Sequence, residues 1–252
     1  ELVIMDAMAG RILHRIKLDS ASSHVLGRRV VPAGELILLP TDSSIRMLDG
    51  KSGLLVKEIP IQGPILMTPA MFKGFAVTVN PIGSVVFVNL QTGKPDSFTI
   101  QTTASDPVAL SITLAGARGY FADKKNNVIC VDLEAKRIVW ERKIDAPGFS
   151  NQNLLVGNAG VYVYAGSKVF GFAHNGNPLF TIDNVSAAPA YMQGKLVVTR
   201  TDGNVQLVNE QNGAVLWSLA LKNPVSARPL VARGVIVAGT QTGEIIFLKP
   251  AL

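Results

Sequence analysis

The chain has 252 residues, of which 48% are apolar and 17% are charged, and its formal net charge at pH 7 is +6. This apolar content excludes an intrinsically disordered chain, and no apolar run reaches the roughly 18 residues that a membrane-spanning helix needs. Lysine and arginine are dispersed and form no basic stripe interleaved with aromatic residues, which argues against nucleic-acid binding.

The first predicted elements are two strands, at residues 2–6 and 11–18, which are joined by a turn at Ala9-Gly10. The polar segment 19–24 follows and is predicted to be a loop. It contains the residue types of a nucleophile triad. Because a triad is assembled from distant parts of a fold, a polar loop is the favoured interpretation of this segment.

Beyond this loop the chain repeats one order of elements, namely a short strand, a very apolar strand and two further strands. A glycine or an equivalent residue joins the third strand to the fourth, because glycine adopts positive φ without strain. These turn residues recur at a spacing of about 40 residues, and they are Gly10, Gly53, Gly93, Lys136, Gly176 and Gly213. Strands with this spacing predict the blades of a β-propeller.

Turn chemistry elsewhere in the repeat agrees with this prediction. Hairpin turns join the second strand of each unit to the third, at residues 42–44, 82–84, 124–127, 165–167, 202–204 and 242–244. A proline recurs near the first strand, at Pro69, Pro107, Pro189 and Pro229. Proline cannot donate a hydrogen bond to a ladder, so the first strand is predicted to be an edge strand.

The fold class is therefore predicted as all-β, a β-propeller of four-stranded antiparallel blades. Residues 1–252 are predicted to form a single propeller domain, on its own or within a longer protein. Six blades are favoured, and the surplus strand at residues 2–6 leaves seven as the alternative. In the six-bladed arrangement the N-terminal strand Arg11–Leu18 pairs antiparallel with the C-terminal strand Glu244–Leu248 and closes the ring.

Large side chains follow the turns between third and fourth strands. Trp140 and Trp217 are expected at equivalent places in two blades, each covering a neighbouring turn. Other residues stand near the same place in their own units: His14, Val56, Phe98 and Phe180. The single cysteine, Cys130, lies in an apolar run and is expected to be a buried small residue.

These features together resemble the PQQ-like repeat. The resemblance is carried by Asn89–Gly93, by Asn209–Trp217 and by the glycine-led strand Gly160–Tyr164. Within that family, quinoprotein dehydrogenases bind pyrroloquinoline quinone with calcium, and their adjacent cysteine pair and metal ligands have no counterpart in this sequence. The resemblance therefore implies the non-catalytic branch, which includes the propeller lipoprotein of the outer-membrane β-barrel assembly machinery.

The polar residues do not form a catalytic set in the sequence. Three separated histidines have no metal-ligand spacing, and His174 is expected to be solvated in a turn. Asp123, Asp183 and Asp202 occupy turns, where aspartate caps its own backbone. The prediction is that the protein is not an enzyme and has no catalytic residue, no cofactor and no metal site.

An interaction surface is the remaining hypothesis. In a propeller the starts of the first strands and the turns between second and third strands share one face. The candidate partner-binding residues on that face are Arg28, Arg29, Lys124, Lys125, Arg200, Asp202 and Arg228. Arginine suits interface anchoring because its planar guanidinium offers five donors, whereas a solvated rim is the alternative interpretation.

The predicted function is a non-catalytic scaffold for protein–protein interaction, or the sensor domain of a larger protein, in the periplasm or another extracytoplasmic part of the cell envelope. The expected partner is a protein, in a membrane-associated complex or parent protein, with no nucleic acid and no transmembrane segment in this chain. The alternative is a small-molecule or PQQ-type cofactor site, as in a quinoprotein-like enzyme, at the channel mouth.

Overall fold

The structure, a computed structural model, describes residues 2–5, 11–17, 30–41, 44–61, 68–80, 82–95, 100–102, 112–123, 125–146 and 154–250. The regular structure of these residues consists of β-strands. The strands belong to two compact units. The first unit comprises Glu1–Ile112 and Leu133–Arg137, and the second comprises Thr113–Asp132 and Ile138–Leu252.

The first unit contains a hairpin and two antiparallel sheets. The hairpin consists of β1 (Leu2–Met5) and β2 (Ile12–Ile16). The first sheet consists of β3 (Val31–Ala33), β4 (Leu36–Pro40), β5 (Ser44–Asp49) and β6 (Leu55–Pro60). The second sheet consists of β7 (Ala70–Phe72), β8 (Phe75–Val79), β9 (Ser84–Asn89), β10 (Lys94–Pro95) and β11 (Ile100–Gln101), and both β10 and β11 pair with β9.

The described residues of the second unit form four further antiparallel sheets. One strand of the third sheet begins at Arg137, which belongs to the first unit. The third sheet has β12 (Thr113–Ala115), β13 (Arg118–Ala122), β14 (Asn127–Asp132) and β15 (Arg137–Lys143), and the fourth has β16 (Leu154–Val156), β17 (Gly160–Ala165), β18 (Lys168–Ala173) and β19 (Pro178–Ile182). The fifth has β20 (Ala190–Met192), β21 (Lys195–Thr199), β22 (Asn204–Asn209) and β23 (Val215–Ala220). The sixth has three strands, β24 (Leu230–Ala232), β25 (Val235–Gly239) and β26 (Ile245–Leu248).

The central strands are buried on both faces, which explains why their sequences are continuously apolar instead of alternating. In β14, the side chains from Val128 to Val131 are all fully buried. Cys130 is one of them, as the sequence predicts. A strand can bury both of its faces only when it lies inside a stack of sheets, and this is the arrangement of propeller blades.

The repeat of turn residues is confirmed in the described part of the chain. Positive φ occurs at Gly53, Gly93, Lys136, Gly176 and Gly213, and Gly10 lies outside the described residues. Each of the four glycines closes the turn between the third and fourth strands of its sheet by a backbone hydrogen bond, such as Gly213 N–H to Asn209 O at 2.9 Å.

The residue four positions after the turn residue packs on the turn of the following sheet. The Trp140 ring lies on Gly176 so closely that a Cβ there would be 2.7 Å from the ring. The indole Nε1–H also donates to His174 O, at 3.0 Å. Phe180 covers Gly213 in the same way. The prediction that Trp140 covers a neighbouring turn is therefore confirmed, whereas Trp217 packs against the buried cluster that includes Leu207 and Ile236.

The same place is taken by Lys57 and His14 in the first unit. The Lys57 side chain lies against Gly93 and its ammonium donates to Gln91 O, at 3.4 Å. His14 lies against Gly53, and its Nε2 is 2.5 Å from Lys51 O. Val56 was expected near this place, but Lys57 takes it, four residues after Gly53 as Phe180 is four residues after Gly176.

His14 contacts Gly53 in the way that Trp140 contacts Gly176. The strands β1 and β2 therefore correspond to the third and fourth strands of a blade that precedes the first sheet. In the described residues β2 pairs with β1 and β26 pairs with β25, and the ladder predicted between Arg11–Leu18 and Glu244–Leu248, which belong to different units, stays a prediction. The local hairpin supplies β2 with a partner close in sequence, which costs less chain entropy than a distant one.

Candidate interaction surface

The structure describes part of the predicted partner-binding set. Arg28, Arg29 and Lys124 lie outside the described residues. The other residues occupy turns or strand starts in the second unit. Lys125 lies between β13 and β14, Arg200 and Asp202 lie between β21 and β22, and Arg228 precedes β24. Lys125, Asp202 and Arg228 are exposed, and Arg200 is half-buried.

Backbone hydrogen bonds explain why these residues share one end of their sheets. Each fourth strand ends beside the turn between second and third strands of its own sheet, so that Leu221 N–H donates to Gly203 O at 3.1 Å. The chain then crosses to the corresponding end of the next sheet, where Thr201 N–H donates to Asn184 O at 2.9 Å. We call Lys125, Arg200, Asp202 and Arg228 the blade-end surface.

The turn that carries Arg200 and Asp202 is fixed by its own side chains. Asp202 Oδ1 accepts the Asn204 N–H at 3.0 Å. This hydrogen bond, the side chain of Asn204 and the nearby charge of Arg200 lower the pKa of Asp202. Asp202 therefore stays ionised near neutral pH and presents a negative charge beside the positive charge of Arg200.

The turn that carries Lys125 is fixed by a buried carboxylate. Asp123 Oδ1 accepts the backbone N–H groups of Lys125 at 3.0 Å and Asn127 at 2.8 Å. Its Oδ2 accepts the Asn127 amide at 2.8 Å. The prediction that Asp123 and Asp202 cap their own backbone is confirmed, and each carboxylate fixes the backbone of a turn that carries a basic residue.

A buried polar cluster at the opposite end of the sheets was not predicted from the sequence. Glu210 is 5% exposed and lies between the fourth and fifth sheets. Its Oε2 accepts the Tyr162 hydroxyl at 3.0 Å and the Ala159 N–H at 3.2 Å, and its Oε1 accepts the Tyr191 hydroxyl at 3.1 Å. With three donors on one carboxylate, Glu210 joins two neighbouring sheets, and the Asn–Glu pair at 209–210 gives no sequence signal of this role.

A second polar cluster surrounds His174, which is half-buried and hydrogen-bonded, so the prediction of a solvated side chain is wrong. His174 Nε2 is 3.1 Å from Asn158 O, and its Nδ1 is 2.8 Å from the Tyr120 hydroxyl. Because a carbonyl only accepts, Nε2 carries the proton and Nδ1 accepts from Tyr120. Arg118 donates to the His174 carbonyl at 3.3 Å. Each of these polar groups is satisfied within the protein, so the cluster stabilises the contact between sheets.

Among the described residues, no group of three or more His, Cys, Asp or Glu side chains has a geometry that could hold a metal ion. The same residues include no helix that could span a membrane.

Stacked antiparallel sheets joined by short turns define the fold as a β-propeller, and comparison with known proteins confirms this fold class and the resemblance to the PQQ-like repeat. Residues 166–251 match the family described as "Outer membrane protein assembly factor BamB". The crystal structure of BamB from Moraxella catarrhalis aligns with a TM-score of 0.69 over 93% of this chain and 74% of that one, at 12% identity.

Two relatives bear the name outer membrane protein assembly factor BamB. The Yersinia pestis protein is 25% identical over 149 residues, which is 52% of this chain and 38% of the relative. The protein of Legionella pneumophila (strain Paris) is 33% identical over 78 residues, which is 31% of this chain and 19% of the relative. The matched region thus spans well under half the length of these curated relatives.

Proposed function

We propose that this protein is a non-catalytic protein-interaction scaffold on the extracytoplasmic side of the cell envelope, and that it takes part in the assembly of outer-membrane proteins. The observation that carries the proposal is the match of residues 166–251 to outer membrane protein assembly factor BamB. Arg200, Asp202 and Arg228 fall inside this matched region. We propose the blade-end surface as the site that contacts the partner protein.

The physical properties of this surface support the proposal. Its side chains stand on tight turns that the adjoining sheets hold in place, so a partner would order few additional residues on binding. Arg200 and Arg228 supply guanidinium groups, which are enriched at the centres of protein interfaces. The nearby charge of Asp202 favours a partner with both acidic and basic side chains at matching positions.

The test is a capture experiment with charge-reversed variants. Purified protein is immobilised and incubated with an extract of bacterial envelopes, and bound proteins are identified and quantified by mass spectrometry. The double variant R200E/R228E is expected to retain several-fold less of an outer-membrane assembly protein than the unchanged chain. Arg233→Glu is the matched control, because Arg233 is also exposed but lies at the other end of β24.

Two results would contradict the proposal. Equal capture by the double variant and by the Arg233→Glu control would exclude the blade-end surface as the contact site. Saturable binding of pyrroloquinoline quinone in the presence of calcium, measured by titration calorimetry, would favour a cofactor-dependent protein over a scaffold. A sensor domain of a larger protein differs from a scaffold in responding to its ligand, so a partner-dependent change in a covalently attached domain would favour the sensor.

A further inference from the structure

Two Asn–Gly pairs occur in the sequence, at residues 175–176 and 212–213. They lie in the turns between third and fourth strands of the fourth and fifth sheets. An asparagine before a glycine is the most prone to spontaneous deamidation, because glycine has no side chain to hinder attack by its backbone nitrogen. Asn175 and Asn212 are both exposed, so water reaches their side chains.

Deamidation at such a pair requires no reagent other than water. The backbone nitrogen of the glycine loses its proton and forms a bond to the asparagine Cγ, while the bond from Cγ to Nδ2 breaks. Ammonia leaves, and a five-membered succinimide remains. Water then opens this ring at either of its two carbonyl carbons. One product is aspartate, and the other is isoaspartate, in which the main chain passes through the side-chain carbons and gains one methylene group.

The side chain of each asparagine is folded forward across the glycine that follows it. Asn175 Oδ1 accepts the Asn177 N–H at 3.0 Å, and Asn212 Oδ1 accepts the Ala214 N–H at 3.0 Å. These are the local hydrogen bonds that asparagine makes in turns. A donor on Oδ1 withdraws electrons from Cγ and so favours attack on it. Both sites therefore have the same chemical predisposition.

The folded turn holds the attacking nitrogen in a hydrogen bond. Gly176 N–H donates to Ala173 O at 2.8 Å, and Gly213 N–H donates to Asn209 O at 2.9 Å. The nitrogen must leave this bond before it can approach Cγ, so the turn has to open first. Deamidation is slow compared with local opening, and its rate therefore follows the fraction of time for which each turn is open.

The two turns differ in what packs on the glycine from the preceding sheet. Gly176 is buried under the Trp140 ring, which is 5% exposed. Arg142 Nε–H also donates to Gly176 O, at 2.9 Å. Gly213 is half-buried under Phe180, whose half-buried ring has no polar group to donate. The turn at Gly213 is thus held by fewer contacts and is expected to open more often.

The other end of each turn is anchored in a similar way. The Tyr120 hydroxyl is 2.8 Å from His174 Nδ1, and the Tyr162 hydroxyl donates to Glu210 O at 2.8 Å. In each case a tyrosine of the preceding sheet holds the start of the turn. The main difference between the two sites therefore lies at the glycine.

We propose that Asn212 is a site of spontaneous deamidation whose rate is set by opening of the contact between Phe180 and the turn, and that Asn175 is its protected counterpart beneath Trp140. Isoaspartate at position 212 lengthens the main chain within the turn, so Gly213 no longer fits under the ring. The modification therefore loosens the contact between the fourth and fifth sheets irreversibly. It is separate from the blade-end surface and does not depend on the function proposed for it.

Peptide mapping by mass spectrometry tests this proposal on the unchanged chain. The protein is incubated at neutral pH, and the deamidated fraction at each site is followed with time. The synthetic peptides acetyl-Gln-Asn-Gly-Ala-Val-amide and acetyl-His-Asn-Gly-Asn-Pro-amide give the rate of each unfolded sequence. Both sites should react more slowly than their peptides. Relative to its peptide, Asn212 is expected to react at least about threefold faster than Asn175.

Two variants remove the cover of one turn each. Trp140→Ala is expected to speed deamidation of Asn175 at least about tenfold and to leave the rate at Asn212 nearly unchanged. Phe180→Ala should speed deamidation of Asn212 and leave Asn175 nearly unchanged. Ile236→Ala is the matched control, because Ile236 is fully buried in the sixth sheet. It destabilises the protein without uncovering either turn, so it should change both rates by the same factor.

Three results would overturn the proposal. The first is that Asn212 does not react while its peptide does, reacts as fast as its peptide, or reacts no faster than Asn175. The second is equal acceleration of both sites by Trp140→Ala or by Phe180→Ala, which would mean that global unfolding controls the reaction. The third is an isoaspartate form that melts at the same temperature as Asn212→Asp, which carries the same charge without the longer main chain.

Discussion

Single side chains between neighbouring sheets account for much of the packing of this protein. Trp140 covers the turn at Gly176 with its ring and donates its indole N–H to His174 O. Truncation of a large buried aromatic residue removes both the apolar contact and the volume that filled the site. We expect Trp140→Ala to lower the free energy of unfolding by about 3–5 kcal/mol.

Chemical denaturation with a far-ultraviolet signal measures this change. Trp140→Phe keeps most of the ring contact and removes the hydrogen bond, so it should lower the free energy of unfolding by less than Trp140→Ala. Trp217→Ala is the matched control. Trp217 is at the equivalent place, but it is half-buried and covers no turn among the described residues. A loss for Trp217→Ala equal to that for Trp140→Ala would show that covering the turn contributes little.

Buried tyrosines make stability depend on alkaline pH. Burial raises the pKa of Tyr162, and the negative charge of Glu210 raises it further. Burial likewise raises the pKa of Tyr120. An unfolded tyrosine titrates near about 10. The contribution of these residues is therefore fully present below that pH, and it is lost as the pH rises above it, because the unfolded chain releases its protons first.

We expect the free energy of unfolding to decline above about pH 10, with a shallower decline in Tyr162→Phe than in the unchanged chain. Urea denaturation at a series of pH values measures the slope. Tyr164→Phe is the control, since the Tyr164 hydroxyl donates only to Val185 O, at 3.4 Å. Equal slopes for Tyr162→Phe and the unchanged chain would show that Tyr162 ionises freely in the folded protein.

Residues in clusters were harder to predict from the sequence than residues in repeats. Trp140 and Phe180 could be assigned because each follows a turn at a fixed distance. Glu210 and His174 could not, because their partners Tyr162 and Tyr120 come from neighbouring sheets. The sequence shows which residues are polar, but only the stacking of the sheets determines which polar groups meet.

At the scale of single elements, the turns carry the most specific information. Gly176 has φ +88°, and a Cβ added there would be 2.7 Å from the Trp140 ring. Gly234 has a similar φ of +76°, but a Cβ added there would meet nothing within 4 Å. These two glycines thus separate the cost of backbone strain from the cost of lost packing between sheets.

We expect Gly234→Ala to destabilise the protein by about 1–2 kcal/mol, the usual cost of a left-handed conformation for a residue with a Cβ. Gly176→Ala should cost more, because the Trp140 ring must also move. Thermal unfolding of both variants gives the comparison. If the two variants have the same melting temperature, the contact between Trp140 and the turn is not tightly packed.

Strand order and turn positions were predictable because glycine, asparagine and aspartate mark each hairpin chemically. The exact positions of residues along the fourth strands were less predictable. Val56 was predicted near the place that Lys57 takes, because a large apolar residue was expected there and the aliphatic stem of a lysine fills the site instead. The blade-end surface remains a prediction in which Asp123 and Asp202 hold their turns as expected.

At the scale of the whole molecule, several buried apolar clusters of the described residues each consist of residues of a single unit. One buried cluster lies between the first two sheets and includes Leu38, Ile45 and Val88. Three other clusters lie within residues 113–252, around Tyr120, Tyr162 and Leu207. A segment that contains its own buried core and its own paired strands has the main requirements for folding independently.

We therefore expect the fragment 113–252 to fold alone and to unfold cooperatively, because the clusters that stabilise it consist of its own residues. Its turn Leu133–Arg137 belongs to the first unit, where Glu134 pairs with Lys73 and Lys136 lies over the Phe87 ring. Exposed ion pairs contribute little, so their loss should cost a small part of the stability. Sigmoidal urea unfolding with equal midpoints by circular dichroism and by tryptophan fluorescence would agree with this expectation. Gradual unfolding with different midpoints would show that the second unit requires the first.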